Sequence, residues 1–268
     1  MMTSEELRNK QLTDLADYLG QSYHRNNAIL LEDMVSYEGI TLYYDSYERE
    51  FDGMLVFDEG QFHIHIDNDG GNEQGSRKGR FTLAHELAHY FIDEHRLGLK
   101  RNEFPPHGTR FDLDEQDPRE IEANLFAGAL IMPTPLFRSF RTPRKFSIDT
   151  IFQLADRFGT SFLSTAIRFC EAGNHPIFLV FSQLGRVKWF KRSSSFPAWP
   201  LNFRVGQPIP SHTVAGDYFR NPALKYTSLE EVDPARWFRP NWHVNSRFFE
   251  QCYYSKTYGY VISFLWFE

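Results

Sequence analysis

The residues with the clearest capacity for chemistry are His85, Glu86 and His89, which form a His-Glu-x-x-His pattern inside the stretch 81–91. Two histidines four positions apart leave the same face of a helix one turn apart, so both imidazoles can reach one metal ion. Glu86 directly follows the first histidine and would lie beside a water bound to that ion, where a general base is needed. The pattern therefore predicts a hydrolytic zinc site.

The helix that carries this pattern is predicted to lie in the core. Apolar residues surround the three polar ones, namely Leu83, Ala84, Leu87, Ala88 and Phe91. A buried helix seldom carries three adjacent polar side chains without a partner. Metal ligation is therefore favoured over the alternative, in which the two histidines are ordinary core residues with satisfied hydrogen bonds.

A catalytic zinc site keeps three protein ligands and an open position, so one further side chain is required. His95 stands where a third histidine follows in the pattern His-Glu-x-x-His-x-x-Gly-x-x-His, but Ile92 replaces the glycine at which that chain turns back. We therefore expect His95 to be an ordinary surface residue near the helix end. His107 follows two prolines in a loop that fixes no direction for its side chain, and it is the weaker candidate.

Glu120 is the preferred third ligand, because it lies near the start of a second predicted core helix that Asp117 can cap. Asn124 follows four residues later on the same face, where its side chain can hydrogen-bond a ligating histidine. The alternative role for Glu120 is to complete a capping box with Asp117. Glu122 lies on a different face of the helix from Glu120. It is predicted to be exposed to solvent or to hydrogen-bond a residue that binds the metal.

The two motifs together resemble those of the ImmA/IrrE family of metallo-endopeptidases. Three stretches carry the resemblance: 80–89, 120–127 and 130–133. The resemblance implies a gluzincin-like site in which His85, His89 and Glu120 bind the metal and Glu86 is the catalytic base. It also implies a bacterial or phage enzyme that cuts a helix-turn-helix repressor and so switches on a stress or mobile-element response. The repressor as substrate is implied by the resemblance alone.

Two short apolar runs before the metal helix, 54–57 and 62–66, predict a β-hairpin. We expect the run that holds His63 and His65 to be a partly exposed edge strand, and a metal site formed by this pair is disfavoured. A strand that borders a zinc site can accept an extended substrate backbone, as suits an endopeptidase. The polar loop 67–76 lacks the ligand spacing of a calcium loop and is predicted to form a mobile rim.

The chain after residue 140 predicts two further parts. Residues 147–169 contain two helical stretches around Gly159, the pattern of a helical hairpin or of a helix-turn-helix. The second stretch uses most of its residues for packing and offers few groups to phosphates or bases, so a structural hairpin is favoured and DNA binding is the open alternative. From His175 onward, aromatic-rich strands predict a small domain, similar to the sensor-like domain of longer family members.

The expected fold belongs to the α+β class. We predict a zincin-like helical catalytic domain with a small edge sheet in 1–140, a helix-turn-helix-like segment in 141–173 and a β-rich α+β domain in 174–268. The 268 residues, 41% of them hydrophobic, suffice for a sizeable core. The sequence predicts neither a membrane span nor a secretory signal. Cys170 and Cys252 lack metal spacing and fit a cytoplasmic protein.

These observations lead to two main hypotheses. The first is a cytoplasmic zinc endopeptidase in which Glu86 activates water for attack on a protein substrate, with no residue identified that stabilises the oxyanion. A less favoured form of this hypothesis is a peptidase that acts on peptides rather than on folded proteins. The alternative is a DNA-binding or ligand-sensing regulator whose zinc site is structural or vestigial, although a purely structural site needs no base such as Glu86.

Zinc is the expected cofactor, although the same three ligands can hold manganese. No motif for another cofactor is recognised. The net charge of −6 argues against unspecific nucleic-acid affinity of the whole molecule.

Overall fold

The computed structural model describes residues 2–25, 28–110, 117–140, 145–221, 228–239, 247–255 and 258–268. The chain divides into two compact units. The first unit comprises Met1–Phe140 and Gln153–Thr165, and the second unit comprises Arg141–Phe152 and Ala166–Glu268. In these ranges no helix combines the length and the apolar character that crossing a membrane requires.

The first unit is built mainly from helices, with short strands between them. Its helices are α1 (Ser4–Ser22), α2 (Leu31–Tyr37), α3 (Arg77–Phe91), α4 (Asp93–Lys100), α5 (Pro118–Ile131) and α6 (Thr134–Arg138). Its strands are β1 (His24–Arg25), β2 (Ala28–Ile29), β3 (Thr41–Asp45), β4 (Gly53–Asp58) and β5 (Gln61–Asp67). The predicted N-cap of α5 is confirmed, because the Asp117 side chain accepts the backbone N–H of Arg119 at 2.9 Å.

Helix α1 contains Gly20 in its last turn and ends at Ser22. Gly20 marks a close approach between helices rather than a helix stop. A β carbon at position 20 would overlap the Leu130 carbonyl oxygen and would lie 2.6 Å from Cγ of Pro133. A glycine here therefore lets α1 lie directly against the end of α5.

The three-stranded sheet has the order β3-β5-β4, with β5 parallel to β3 and antiparallel to β4. The predicted hairpin is confirmed, but the prediction that the His63 and His65 strand is an edge is wrong. Strand β3, which the sequence did not reveal, pairs with β5 from the other side. The Tyr43 ring stacks on His65 at 4.9 Å, and the Tyr47 hydroxyl lies 2.8 Å from His65 Nδ1, so His65 has structural partners.

The polar loop 67–76 is anchored by buried side chains. Asp67 is buried, and its carboxylate accepts backbone N–H groups, including that of Tyr47 at 2.9 Å. Burial opposes its charge, yet these hydrogen bonds lower the pKa of Asp67. Asn72 is also buried and links Asp52 to Thr82 through bonds of 2.7 and 2.9 Å. Hydrogen bonds of Asp67 and Asn72 thus hold the start and the centre of loop 67–76, which the sequence predicted to be a mobile rim, against neighbouring segments.

The second unit contains an antiparallel sheet of order β7-β6-β10-β9-β8. Its strands are β6 (Ile177–Gln183), β7 (Arg186–Arg192), β8 (Glu230–Glu231), β9 (Phe248–Ser255) and β10 (Tyr260–Phe267), accompanied by α9 (Val214–Arg220). One sheet face packs on an aromatic core that includes Phe178, Phe196, Trp237, Phe238 and Phe248. The α+β class and the aromatic character of this region are confirmed. The predicted sensor role stays a prediction.

The predicted helical hairpin consists of α7 (Ile148–Phe158) and α8 (Phe162–Ala172). The turn between them passes through Gly159 at φ +62°, a left-handed conformation that favours glycine. Arg168 of α8 is buried and lies 3.5 Å from Glu171, so this guanidinium is engaged inside the protein. The two predicted helices and the turn at Gly159 are confirmed, and the choice between a structural hairpin and DNA binding stays a prediction.

Candidate active site

Helices α3 and α5 bring the three predicted metal ligands together. On α3, the Nε2 atoms of His85 and His89 lie 3.1 Å apart. Glu120 of α5 places Oε2 at 3.0 Å from His85 Nε2 and Oε1 at 3.3 Å from His89 Nε2. One ligand atom from each residue lies within 4.8 Å of the other two. Two imidazole nitrogens and one carboxylate oxygen that converge in this way form a donor set suited to zinc.

Small buried residues on both helices favour a close approach between them. Helices α3 and α5 contact each other. Among the described residues, five fully buried alanines contribute to these two helices: Ala84, Ala88, Ala123, Ala127 and Ala129. Small side chains shorten the distance between helix axes, so polar side chains from both helices reach a common point.

Asn124 occupies the supporting position that its spacing predicted. Its Oδ1 lies 3.1 Å from His85 Nδ1. An amide oxygen only accepts, so we assign a proton to Nδ1 of His85, and Nε2 faces Glu120 as the nitrogen available to a metal ion. The capping box offered as the alternative role of Glu120 is not formed by its carboxylate oxygens, which face the two histidines.

The electrostatics of the site favour a cation between these groups. Burial would raise the pKa of Glu120, but hydrogen bonds with His85 and His89 lower it. Burial lowers the pKa of His89. Burial also opposes the charged form of His85, although its contact with Glu120 leaves the His85 pKa raised. Glu120 is therefore ionised at neutral pH and offers negative charge to the two imidazoles.

Glu86 lies beside the ligands and is held differently from Glu120. The side chain is buried, and within the described part of the chain its Oε1 has no hydrogen-bond partner. Burial raises the pKa of Glu86 to about 7, although His85 pulls it in the other direction. A carboxyl group in this condition can exchange a proton near neutral pH, as general acid and base catalysis requires.

Gly53, at the start of β4, is a site residue that the sequence did not identify. A β carbon at this position would lie 2.7 Å from Glu86 Oε1 and 2.6 Å from Thr82 Cγ2. Gly53 also pairs with Thr109 through an isolated β-bridge. A glycine at a strand end can mark close approach of a side chain, but this signal alone names no partner.

The prediction that His95 is a surface residue is wrong. The residue is only 3% exposed, and its Nδ1 lies 3.1 Å from His89 Nδ1. Helix α3 ends at Ile92, whose φ of −79° and ψ of 109° form an extended turn that needs no glycine. Helix α4 starts immediately afterwards and directs His95 back to the metal helix. Burial and the neighbouring His89 lower the pKa of His95 to about 4, so its ring is neutral at pH 7.

A small cleft opens beside the ligands. Its wall is formed by Leu55, Glu86, His89, Leu99, Phe104, His107, Arg119 and Glu120. His107, the weakest ligand candidate, thus borders the cleft without joining the three converging ligands. Arg119 lies over the Phe104 ring at 4.3 Å and binds Asp117 at 2.6 Å, which fixes one side of the opening.

A helix with His-Glu-x-x-His, completed by a carboxylate from a second helix, defines a metallopeptidase domain of the zincin type. Residues 71–169 match the family model described as the IrrE N-terminal-like domain of the peptidase M78 group. This match over residues 71–169 supports the predicted resemblance to the ImmA/IrrE family, and the matched part includes all three candidate ligands. A comparison with curated proteins gives no match.

Proposed function

We propose that this protein is a zinc-dependent endopeptidase. The observation that carries the proposal is the convergence of His85, His89 and Glu120 within 4.8 Å of one another, with buried Glu86 next to the first ligand. Three protein ligands from two helices suit a catalytic zinc ion, which keeps a position for water. Manganese can use the same donors, so the identity of the metal is part of the proposal.

In the proposed reaction each residue has a separate task. His85, His89 and Glu120 would hold the ion, and Asn124 keeps the His85 ring in the tautomer that ligation needs. Zinc, when bound, would polarise the peptide carbonyl and lower the pKa of water. Glu86 would take the proton of the attacking water at Oε1 and pass it to the leaving amine.

The cleft supports cleavage within a chain rather than at its end. Strand β4 is an edge of its sheet; Gly53 at its start already pairs with Thr109, and Leu55 farther along the strand lines the cleft. An extended substrate backbone can lie along such an edge and hydrogen-bond to it. In this proposal an internal peptide bond would lie beside Glu86, and no free terminus would be required.

The nature of the substrate is the finer part of the proposal. We propose a protein substrate, specifically a helix-turn-helix transcriptional repressor whose cleavage relieves repression in a stress or mobile-element response. The match of residues 71–169 to the family supports it. We also propose a cytoplasmic location, which suits Cys170 and Cys252, since both are buried and neither forms a disulfide.

The test compares zinc-loaded wild type with Glu86→Gln, which keeps the shape of the side chain but removes the base. Both proteins are analysed for metal content and then incubated with proteome-derived proteins, and new termini are mapped by mass spectrometry. We expect internal cuts with the wild type, a loss of about 10²- to 10⁴-fold in the variant, and equal zinc in both. A regulator with a structural metal site would instead show equal zinc, no new termini and unchanged biological output in the variant.

A further inference from the structure

We propose that His95 is a positioning residue that fixes the tautomer and orientation of the ligand His89, with Glu122 and Arg8 as the outer end of the same chain of contacts. This inference rests on the proposed metal site. Its basis is the Nδ1 to Nδ1 distance of 3.1 Å between His89 and His95, on the side of His89 that faces away from Glu120.

The outer end of this chain of contacts is held by an arginine from α1. Arg8 donates from Nε to Glu122 Oε1 at 2.9 Å and from a terminal nitrogen to Glu122 Oε2 at 2.7 Å. The same guanidinium contacts Glu94 at 3.0 Å. A bidentate pair of this kind fixes the plane of the carboxylate and keeps it an acceptor.

The direction of the hydrogen bonds follows from the available donors and acceptors. Glu122 Oε2 lies 3.4 Å from His95 Nε2, so the carboxylate favours a proton on that nitrogen. A neutral imidazole with its proton on Nε2 has a lone pair on Nδ1. His95 Nδ1 therefore accepts the Nδ1 proton of His89, and the lone pair of His89 Nε2 is left for the ion. The opposite arrangement would place a proton at the ligating nitrogen.

Both histidine ligands are then supported in the same way from different helices. Asn124 of α5 accepts from His85 Nδ1 at 3.1 Å, and His95 of α4 accepts from His89 Nδ1 at the same distance. His95 is nearly inaccessible to solvent, so water cannot readily take over its role. Acceptors of this kind commonly increase the basicity of the ligand and orient its ring.

The experiment measures zinc affinity by competition with a chromogenic chelator in the full chain. His95→Leu fills the buried space but removes the acceptor, and we expect zinc to bind about 10- to 100-fold more weakly. His95→Asn places an amide oxygen near the position of Nδ1, and we expect its affinity to stay within about threefold of wild type. Glu122→Gln keeps the shape at the outer end and should weaken binding by less than His95→Leu does.

Controls separate positioning from general loss of structure. His24→Leu is the matched control, because it makes the same exchange in β1, outside the site, and should leave zinc affinity unchanged. Circular dichroism and the melting temperature of each zinc-free protein report folding. If His95→Leu does not fold, the zinc affinities of His95→Asn and Glu122→Gln test the positioning role, since both substitutions keep a polar group in place.

Equal zinc affinity in wild type, His95→Leu and Glu122→Gln would overturn the positioning role and leave the proposed function intact. A folded His95→Asn that is as weak as His95→Leu would overturn the acceptor argument as well. Absence of zinc affinity in the wild type would instead overturn the metallopeptidase function, and the positioning role with it. These results are distinguishable because zinc binding is measured before any peptide is cleaved.

Discussion

Gly53 and the Glu86 carboxylate are so close that a β carbon at position 53 would lie 2.7 Å from Glu86 Oε1. Strand β4 and helix α3 thus meet at Oε1 of the proposed base, a buried oxygen that has no hydrogen-bond partner among the described residues. The strand confines the carboxylate from one side, while the backbone of α3 places it beside His85.

We predict that Gly53→Ala displaces Glu86 and lowers the cleavage rate by about 100-fold, since small displacements of a catalytic group have effects of that size. Zinc content should not change, because the new β carbon would meet Thr82 and Glu86 rather than a ligand. Steady-state kinetics and metal analysis of the same preparation check both statements.

Gly128→Ala is the matched control for this substitution. Gly128 lies within α5, and a β carbon there would meet no atom within 4 Å. The exchange should leave activity unchanged and stabilise the helix by about 0.5 to 1 kcal/mol. Full activity of Gly53→Ala would show that Glu86 tolerates displacement and would contradict the role of β4 as its support.

Removal of Glu120 should abolish metal binding. We predict that Glu120→Ala, purified without added metal, retains little of the roughly one zinc per chain that a three-ligand site holds in the wild type. The reason is that its two oxygens lie 3.0 and 3.3 Å from the two ligating nitrogens. Inductively coupled plasma mass spectrometry measures the content directly.

The matched control for the ligand is Glu103→Ala, which removes an exposed carboxylate that contacts Arg101 at 3.6 Å. It should retain zinc at the wild-type level. If Glu120→Ala kept its zinc while the His95→Leu variant lost it completely, the third ligand would be His95, and the assignment of the site would be wrong.

A buried carboxylate in the second unit should make stability depend on pH. Glu250 accepts Trp237 Nε1–H at 3.0 Å and the backbone N–H groups of Val214 and Ala215 at 3.0 and 3.2 Å. Burial raises the pKa of Glu250 above its ordinary value of 4.5 despite these bonds. A raised pKa of an acid means that ionisation costs more in the folded state, so its contribution to stability falls as pH rises above 4.5.

Glu250→Gln isolates this contribution, because glutamine does not titrate. We predict that the free energy of unfolding of wild type, minus that of the variant, decreases as pH rises from 4.5 towards the raised pKa and is constant below 4.5. Tryptophan fluorescence suits the measurement in the full chain, since all five tryptophans lie beyond residue 185. A difference that increases with pH would contradict the predicted sign.

The local part of the site was predictable because it depends on spacing along helices. His85, His89, Glu120 and Asn124 each follow from a four-residue interval, which has one geometric meaning in an α-helix. Helix boundaries near caps were likewise predictable, as Asp117 shows.

The remainder depends on contacts between segments distant in sequence. Strand β3 pairs in parallel with β5, and parallel pairing leaves no hairpin signal in the chain. Gly53 lies beside Glu86 because of that sheet, and its sequence neighbours do not indicate it. The prediction that His95 lies on the surface was wrong because Ile92, in an extended conformation, turns the chain as well as a glycine would. The absence of glycine therefore did not mean that the chain leaves α3 in another direction.

The contact of Arg8 with Glu122 has a practical consequence for fragments of this protein. The segment that matches the family, 71–169, contains every candidate ligand but neither α1 nor β4. A fragment cut to those limits would carry the donor atoms without the arginine that holds Glu122 and without the glycine that confines Glu86. We therefore expect a fragment with the complete site to extend upstream of residue 71, as far as the first helix.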